Sequence, residues 1–137
     1  MKKFFAVVDT NVLISGLITS NPSSPTKGVV DCLTDYTIVP LYCEEILKEY
    51  QEVLNRDKFH LPETKIKEIL DLIKSDGLSL HRTATKKHFS DPKDVVFYEV
   101  ALSKEDSFLV TGNIKHFPEV DFVVTPAEMM AIIEEDR

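Results

Sequence analysis

The chain opens with the run Phe4-Phe5-Ala6-Val7-Val8, which is continuously apolar and is followed directly by Asp9-Thr10-Asn11. A short apolar run of this kind is typical of a buried strand. In open α/β sheets, ligands bind outside the carboxyl ends of the strands. The sequence therefore predicts that the Asp9 carboxylate lies where a ligand or substrate is bound.

Strand-like and helix-like segments alternate along the rest of the chain. Further strand-like runs occur at residues 37–39, 78–80, 108–110 and 122–124. Segments with helical spacing of apolar residues lie between and after them, at residues 26–33, 43–54, 62–74, after Asp91-Pro92, and at 126–135. This alternation predicts an α/β fold in which a parallel sheet lies between helices.

Length and composition limit the number of domains and the class of protein that this chain can form. With 137 residues, of which 43% are hydrophobic, the chain is expected to form one domain over residues 1–137. The apolar run behind Lys2 and Lys3 is shorter than the roughly 7–15 residues of a signal peptide. No stretch approaches the roughly 18 apolar residues of a membrane span. Since Cys32 and Cys43 are the only two cysteines, we expect reduced thiols and a cytoplasmic protein without membrane contact.

The formal net charge of −7 argues against a simple basic nucleic-acid binder, because Lys and Arg supply most nonspecific affinity for phosphate. It does not argue against a metal-bearing one, since acids gathered around divalent cations present a positive site to phosphate. Local basic clusters occur at Arg56, Lys58 and His60 and at residues 86–88. Taken alone, each is more typical of a solvated surface.

Glu49 is the acid of the second predicted helix that is best placed to reach inward. The apolar residues of that helix form one stripe at about 100° per residue, and they are Ile46, Leu47, Tyr50, Val53 and Leu54. On the same projection Glu49 lies at the edge of the stripe, whereas Glu45 and Glu52 lie nearly opposite it. A solvated glutamate is the competing interpretation.

Two further acids occupy a predicted helix start. Asp91 suits the cap, Pro92 the first helical position, and Asp94 the first turn. A carboxylate there stabilises the helix dipole by about 0.3–1 kcal/mol, which by itself explains Asp94. However, Asp94 shares a helix face with residues 97, 98 and 101, which are expected to be buried, so it is also placed for chemistry.

The run 108–110 ends at Thr111-Gly112-Asn113, which repeats the geometry of Asp9. Gly112 is expected to allow close approach of backbone, and a plain turn is the alternative interpretation. Carboxylates a few ångströms apart repel by roughly 4 kcal/mol per pair at an effective dielectric near 20, and a cation removes that penalty. Hard oxygen ligands favour Mg²⁺ or Mn²⁺, whereas the four histidines lack the paired spacing of a zinc site.

The order and spacing of these motifs resemble the PIN-domain ribonuclease family over nearly the whole chain. The likeness is closest to the bacterial and archaeal toxins of toxin-antitoxin pairs, which the ending at residues 125–128 also resembles. The matching motifs are Val7-Val8-Asp9-Thr10-Asn11-Val12-Leu13, Glu49-Tyr50, Asp94 seven residues before Ala101, and Leu109-Val110-Thr111-Gly112-Asn113.

The resemblance implies a three-layer α/β/α, Rossmann-like fold with a central parallel sheet of about five strands in the order 3-2-1-4-5. It further implies a nuclease that cleaves single-stranded RNA with Mg or Mn, a cognate antitoxin partner, and the homodimer that such domains often form. Asp9, Glu49 and Asp94 match the family's acidic metal site. Asn113 stands where many members have Asp, which weakens the case for a strongly held second metal.

The same resemblance implies roles for further residues at or near the site. Asn113 is a further candidate metal ligand, and the residues expected to orient ligands or waters are Asn11, Thr111 and Asp91. The candidate phosphate contacts for RNA are Lys115, Arg82, Lys86 and Lys87.

Two other functions stay open. One is a catalytically silent domain of the same fold that binds RNA or a protein, which the missing fourth acid would explain. The other is a phosphohydrolase similar to haloacid dehalogenases, although Asn11 stands where that class wants a second Asp.

Overall fold

The computed structural model describes residues 2–137 of the chain. Its core is one parallel five-stranded sheet in the order β3-β2-β1-β4-β5, which confirms the predicted topology. The strands are β1 (Phe4–Val8), β2 (Ile38–Tyr42), β3 (Leu78–Ser79), β4 (Ser107–Val110) and β5 (Val123–Val124). β1 lies in the middle, and its Ala6 and Val7 are fully buried.

Within residues 2–137, six helices cover the sheet on its two faces and complete a three-layer α/β/α fold. They are α1 (Thr10–Ile18), α2 (Pro25–Thr34), α3 (Glu44–Leu54), α4 (Glu63–Asp76), α5 (Pro92–Leu102) and α6 (Pro126–Glu135). Helix α2 packs against α1 and α6, whereas α3 packs against α4 and α5. Short 3-10 turns occur at Asp57–Phe59 and Ile114–His116.

Helix α1 is the element that sequence patterns did not predict. Its residues include β-branched Val12 and Ile14 together with Gly16, none of which favours an isolated helix. The helix forms because it is packed into the core on α2. A Cβ added to Gly16 would lie 2.4 Å from the carbonyl oxygen of Thr26, so only glycine permits this approach.

Local sequence sets where two other helices begin. The side chain of Asp91 accepts a hydrogen bond from the backbone N–H of Lys93, which makes it the predicted cap of α5. Thr125 and Glu128 form a reciprocal capping box at the start of α6. Phe97, Tyr98 and Ala101 of α5 are buried, as their spacing predicts, and α5 packs on β1, β2 and β4.

The strand register brings the predicted site segments together. Val8 of β1 pairs with Val110 of β4, so Asp9 and Thr111 leave the sheet side by side. The two cysteines, Cys32 and Cys43, are buried and free. Among residues 2–137, no helix is long and apolar enough to cross a membrane.

Candidate metal-dependent active site

A polar pocket of about 160 Å³ lies at the carboxyl end of the central strands. It joins residues from four separate segments of the chain: the end of β1, helix α3, the start of α5 and the loop after β4. The residues that line it are Asp9, Thr10, Asn11, Glu49, Asp91, Lys93, Asp94, Phe97, Asn113 and His116. The tertiary fold therefore assembles side chains that are up to about a hundred residues apart in sequence.

Asp9 is the most buried acid of this pocket, at 7% exposure. It occupies the cap position of α1, where its own carbonyl accepts hydrogen bonds from Val12 and Leu13. Its Oδ2 accepts a 2.7 Å hydrogen bond from the hydroxyl of Thr111. Burial raises the pKa of the Asp9 carboxyl, and the Thr111 hydrogen bond opposes that rise.

Thr111 connects the two ends of the pocket. Its hydroxyl donates to Asp9 and accepts a 3.0 Å hydrogen bond from the backbone N–H of Asn113. Because Thr111 is fully buried, this pair of hydrogen bonds fixes the loop after β4 relative to the end of β1. The carboxamide of Asn113 is thereby held at the pocket.

Glu49 reaches the pocket from α3, at the partly buried edge that the helical projection indicates. The next residue, Tyr50, is almost completely buried and donates a hydrogen bond from its hydroxyl to the carbonyl of Val8. Burial raises the pKa of the Tyr50 hydroxyl, so this donor stays protonated. Tyr50 therefore anchors α3 to the strand that carries Asp9, and Glu49 lines the same pocket as Asp9.

Asp94 faces the pocket from the first turn of α5, with a side chain 17% exposed. Burial raises the pKa of its carboxyl, and the charges of Asp9 and Asp91 raise it further. Its Oδ2 is buried without a hydrogen-bond partner among residues 2–137, and His116 Nδ1 lies 3.7 Å from it. An oxygen in this state is suited to a cation that supplies the missing interaction.

The chemistry of the donor set fits a hard divalent cation. Carboxylates of Asp9, Glu49, Asp91 and Asp94 and the amide of Asn113 offer oxygen ligands only, which Mg²⁺ and Mn²⁺ prefer. Within residues 2–137, however, no three acidic, histidine or cysteine side chains are arranged as a complete metal site. The pocket thus has the right ligand type, and its carboxylates would have to move closer together around an ion.

Sequence reasoning missed four residues of the pocket. They are the basic residues Lys93 and His116, together with Thr10 and Phe97, which complete the lining. The Oγ1 of Thr10 is also buried without a partner in the described part of the chain. Lys93 lies between Asp91 and Asp94, which were identified from the sequence, so its position in the chain could have indicated that it lines the pocket. His116 gave no such signal, because only the 3-10 turn after Asn113 directs it to the pocket.

The four cations predicted to contact RNA lie outside the pocket. Lys115 is exposed on the 3-10 turn, and Lys86 and Lys87 are exposed on the irregular segment between β3 and α5. Arg82 is engaged by two carboxylates, because its Nη1 lies 2.8 Å from Glu45 and its Nη2 lies 2.7 Å from Glu99. Its charge is therefore already matched within the fold.

In the described residues no other backbone comes close to the side-chain position of Gly112. No atom of residues 2–137 other than its chain neighbours lies within 4 Å of a Cβ built at this position, and its φ is not positive. The backbone here faces open space, so glycine is not required at this position by packing within the described residues. The close approach in this fold is instead at Gly16, between α1 and α2.

A larger cavity of about 900 Å³ lies at the opposite, amino-terminal end of the strands. Lys2, Lys3, Phe5 and Lys104 are among the residues that border it. Ligands of open α/β sheets bind at the carboxyl ends of the strands, so size alone does not make this cavity the active site. The smaller pocket around Asp9 is the one with convergent acids.

Comparison with known proteins identifies a family over the part of the chain that forms the pocket. A family model described as PIN domain matches residues 6–115. No curated protein and no solved structure matches the chain significantly. The matched range contains every residue of the pocket except His116, which follows its last residue.

Proposed function

Because this chain belongs to the PIN-domain family, whose members are generally nucleases that use divalent metal ions, we propose that it is a metal-dependent endoribonuclease. Its substrate is single-stranded RNA, and the reaction is hydrolysis of a phosphodiester. The observation that carries the proposal is the meeting of Asp9, Glu49 and Asp94 at one pocket.

In this proposal Asp9, Glu49 and Asp94 hold one or two Mg²⁺ or Mn²⁺ ions, and Asn113 adds a neutral oxygen ligand. When bound, such an ion lowers the pKa of a water and neutralises charge on the phosphate oxygens. Thr111 keeps the buried Asp9 carboxylate hydrogen-bonded and opposes its protonation. Asn11 and Asp91, at the pocket rim, orient waters or ligands.

The protein also supplies positive potential for the phosphate. The starts of α1 and α5 both face the pocket, and helix starts direct free N–H groups and partial positive charge toward anions. Lys93 lines the same pocket, and we propose that its ammonium contacts a non-bridging phosphate oxygen. Lys86, Lys87, Lys115 and Arg82 remain proposed contacts for the RNA beyond the pocket.

The direct test is incubation of a pool of structured and unstructured RNAs with the protein, in Mn²⁺ and in chelator. We expect Mn²⁺-dependent cleavage that Asp9→Asn abolishes while the fold is retained. Asp106→Asn is the matched control, because Asp106 precedes β4 at the far end of the sheet and has a φ of 59°, which Asn accepts well. Full cleavage by a pure Asp9→Asn preparation would refute the assignment.

A silent RNA- or protein-binding domain is the second candidate. It is favoured by Asn113 in place of a fourth acid, and by the absence of a complete metal site in residues 2–137. RNA binding without cleavage under any metal condition would support it. The phosphohydrolase alternative has no comparable support, since the matching family model is that of a PIN domain.

We further propose that the protein acts in the cytoplasm as the toxin of a toxin-antitoxin pair and that it can pair with a second copy. The sequence resemblance to toxins of such pairs supports this role. Its test is growth of cells that express the chain, with Asp9→Asn as the inactive control. Growth arrest is expected with the wild-type chain only, and equal growth of both strains would contradict the toxin role.

A further inference from the structure

A second groove continues from the active-site pocket between α3 and α5. Its volume is about 170 Å³, and its lining residues are Glu45, Ile46, Glu49, Lys93, Val96 and Phe97. Three of them, Glu49, Lys93 and Phe97, also line the pocket around Asp9. We call it the α3/α5 groove. A chain of nucleotides whose phosphate lies at the pocket would therefore bring an adjacent base to this groove.

The floor of the α3/α5 groove is apolar. Ile46 and Phe97 are buried, and Val96 is partly buried. A groove of this volume with an apolar floor suits the flat ring of a nucleobase. Proteins that read single-stranded RNA commonly take unstacked bases against apolar or aromatic side chains and bond their edges.

One acid at the rim of the groove is held in place by a charged network. The guanidinium of Arg82 joins Oε2 of Glu45 at 2.8 Å to the buried carboxylate of Glu99. Glu99 also accepts a 2.8 Å hydrogen bond from the backbone N–H of Thr85. The Glu45 side chain is 56% exposed, so its carboxylate has lone pairs left for a further donor.

We propose that the α3/α5 groove is a base-binding subsite that prefers cytosine over uracil and that Glu45 determines this preference; the proposal rests on the nuclease function proposed above. A carboxylate accepts a hydrogen bond from the exocyclic N4 amino group of cytosine. Uracil presents the O4 acceptor at the corresponding position, which the carboxylate repels. Lys93, shared by the groove and the pocket, contacts the phosphate between the base and the reacting atoms.

The test measures binding apart from cleavage. Fluorescence anisotropy with the Asp9→Asn protein in Mn²⁺ compares short fluorescein-labelled oligocytidine and oligouridine. We expect oligocytidine to bind about tenfold more tightly, which is within the range of one good contact to a base edge. Glu45→Gln should lower this ratio to about twofold or less, because a neutral amide also donates a hydrogen bond to uracil O4.

Glu44→Gln is the matched control, because Glu44 is the neighbouring exposed acid of α3 and lies outside the groove. It should keep the full ratio. The proposal is overturned if the Asp9→Asn protein binds both oligonucleotides equally or binds neither. It is also overturned if Glu45→Gln leaves the ratio of the two affinities unchanged. Thermal melting checks that each variant is folded.

The two proposals fail in different ways. If the wild-type chain cleaves no RNA in Mn²⁺ but the Glu45-dependent ratio is present, the nuclease function is wrong and the subsite stands. If the wild-type chain cleaves RNA with equal efficiency beside cytosine and uracil, and binding shows the same indifference, the subsite is wrong and the nuclease function stands.

Discussion

The hydroxyl of Thr111, at the end of β4, donates a 2.7 Å hydrogen bond to Oδ2 of Asp9, at the end of β1. The two residues are 102 positions apart in the chain and are adjacent only because their strands pair in parallel. This contact ties the most buried acid of the pocket to the loop that carries Asn113. It also opposes the effect of burial on the Asp9 pKa.

Thr111→Val should remove the donor that keeps the Asp9 carboxylate ionised. The pKa of Asp9 is then expected to rise further, so the acidic limb of the pH–rate profile moves to higher pH. The free energy of unfolding near neutral pH should fall by about 1–3 kcal/mol, because a buried carboxylate loses its partner. Thr111→Ser keeps the hydroxyl and should restore both quantities. An unmoved acidic limb in the valine variant would contradict the role given to this contact.

The raised pKa of Asp9 and Asp94 predicts how stability depends on pH without metal. A carboxyl whose folded-state pKa lies above its unfolded value contributes stability at pH values below the unfolded pKa and loses it as pH rises through the folded pKa. Asp9→Asn in chelator should therefore melt at a higher temperature than the wild-type chain at pH 7. Each kcal/mol added to the free energy of unfolding corresponds to roughly 4 °C for a chain of this length. The difference should shrink as the pH is lowered. A lower melting temperature for Asp9→Asn than for the wild-type chain at pH 7 would oppose this account.

Divalent cations should stabilise the folded protein. An ion that binds only the folded state adds about 2.7 kcal/mol at a concentration one hundred times its Kd. We expect Mn²⁺ to raise the melting temperature of the wild-type chain and to have a much smaller effect on Asp94→Asn, which loses the carboxylate whose Oδ2 is buried without a hydrogen-bond partner in the described residues. Differential scanning fluorimetry over a Mn²⁺ titration measures this. Equal shifts of the melting temperature in both proteins would mean that the ion binds away from Asp94.

Substitution by alanine should affect stability differently at two glycines. At Gly16 the added Cβ would meet the Thr26 carbonyl oxygen and the Val30 side chain at 2.4 Å, so Gly16→Ala should cost about 1–3 kcal/mol of unfolding free energy. At Gly112 the added Cβ faces open space, and Gly112→Ala should change stability by no more than about 0.5 kcal/mol or raise it slightly. Urea unfolding of both variants tests the packing of α1 on α2.

Most elements of the fold could be predicted because their signals are local. Three elements are each specified within a few residues: β1 by the apolar run at residues 4–8, α5 by Asp91-Pro92 and α6 by Thr125-Pro126. Helix α1 could not be predicted, because its residues form a helix only when they are packed against α2. The family resemblance supplied the strand order, which no single segment contains.

The side chains that carry oxygen ligands, and the strand or helix ends that they occupy, could be predicted from the sequence alone. The folded chain was needed to show that Lys93 and His116 share the pocket of Asp9, that Arg82 is bound by Glu45 and Glu99, and that Gly112 is not crowded. The difference is one of range, because caps, helix periodicity and strand patterns act over a few residues. Hydrogen bonds, ion pairs and packing act over a few ångströms between segments whose separation only the folded chain defines.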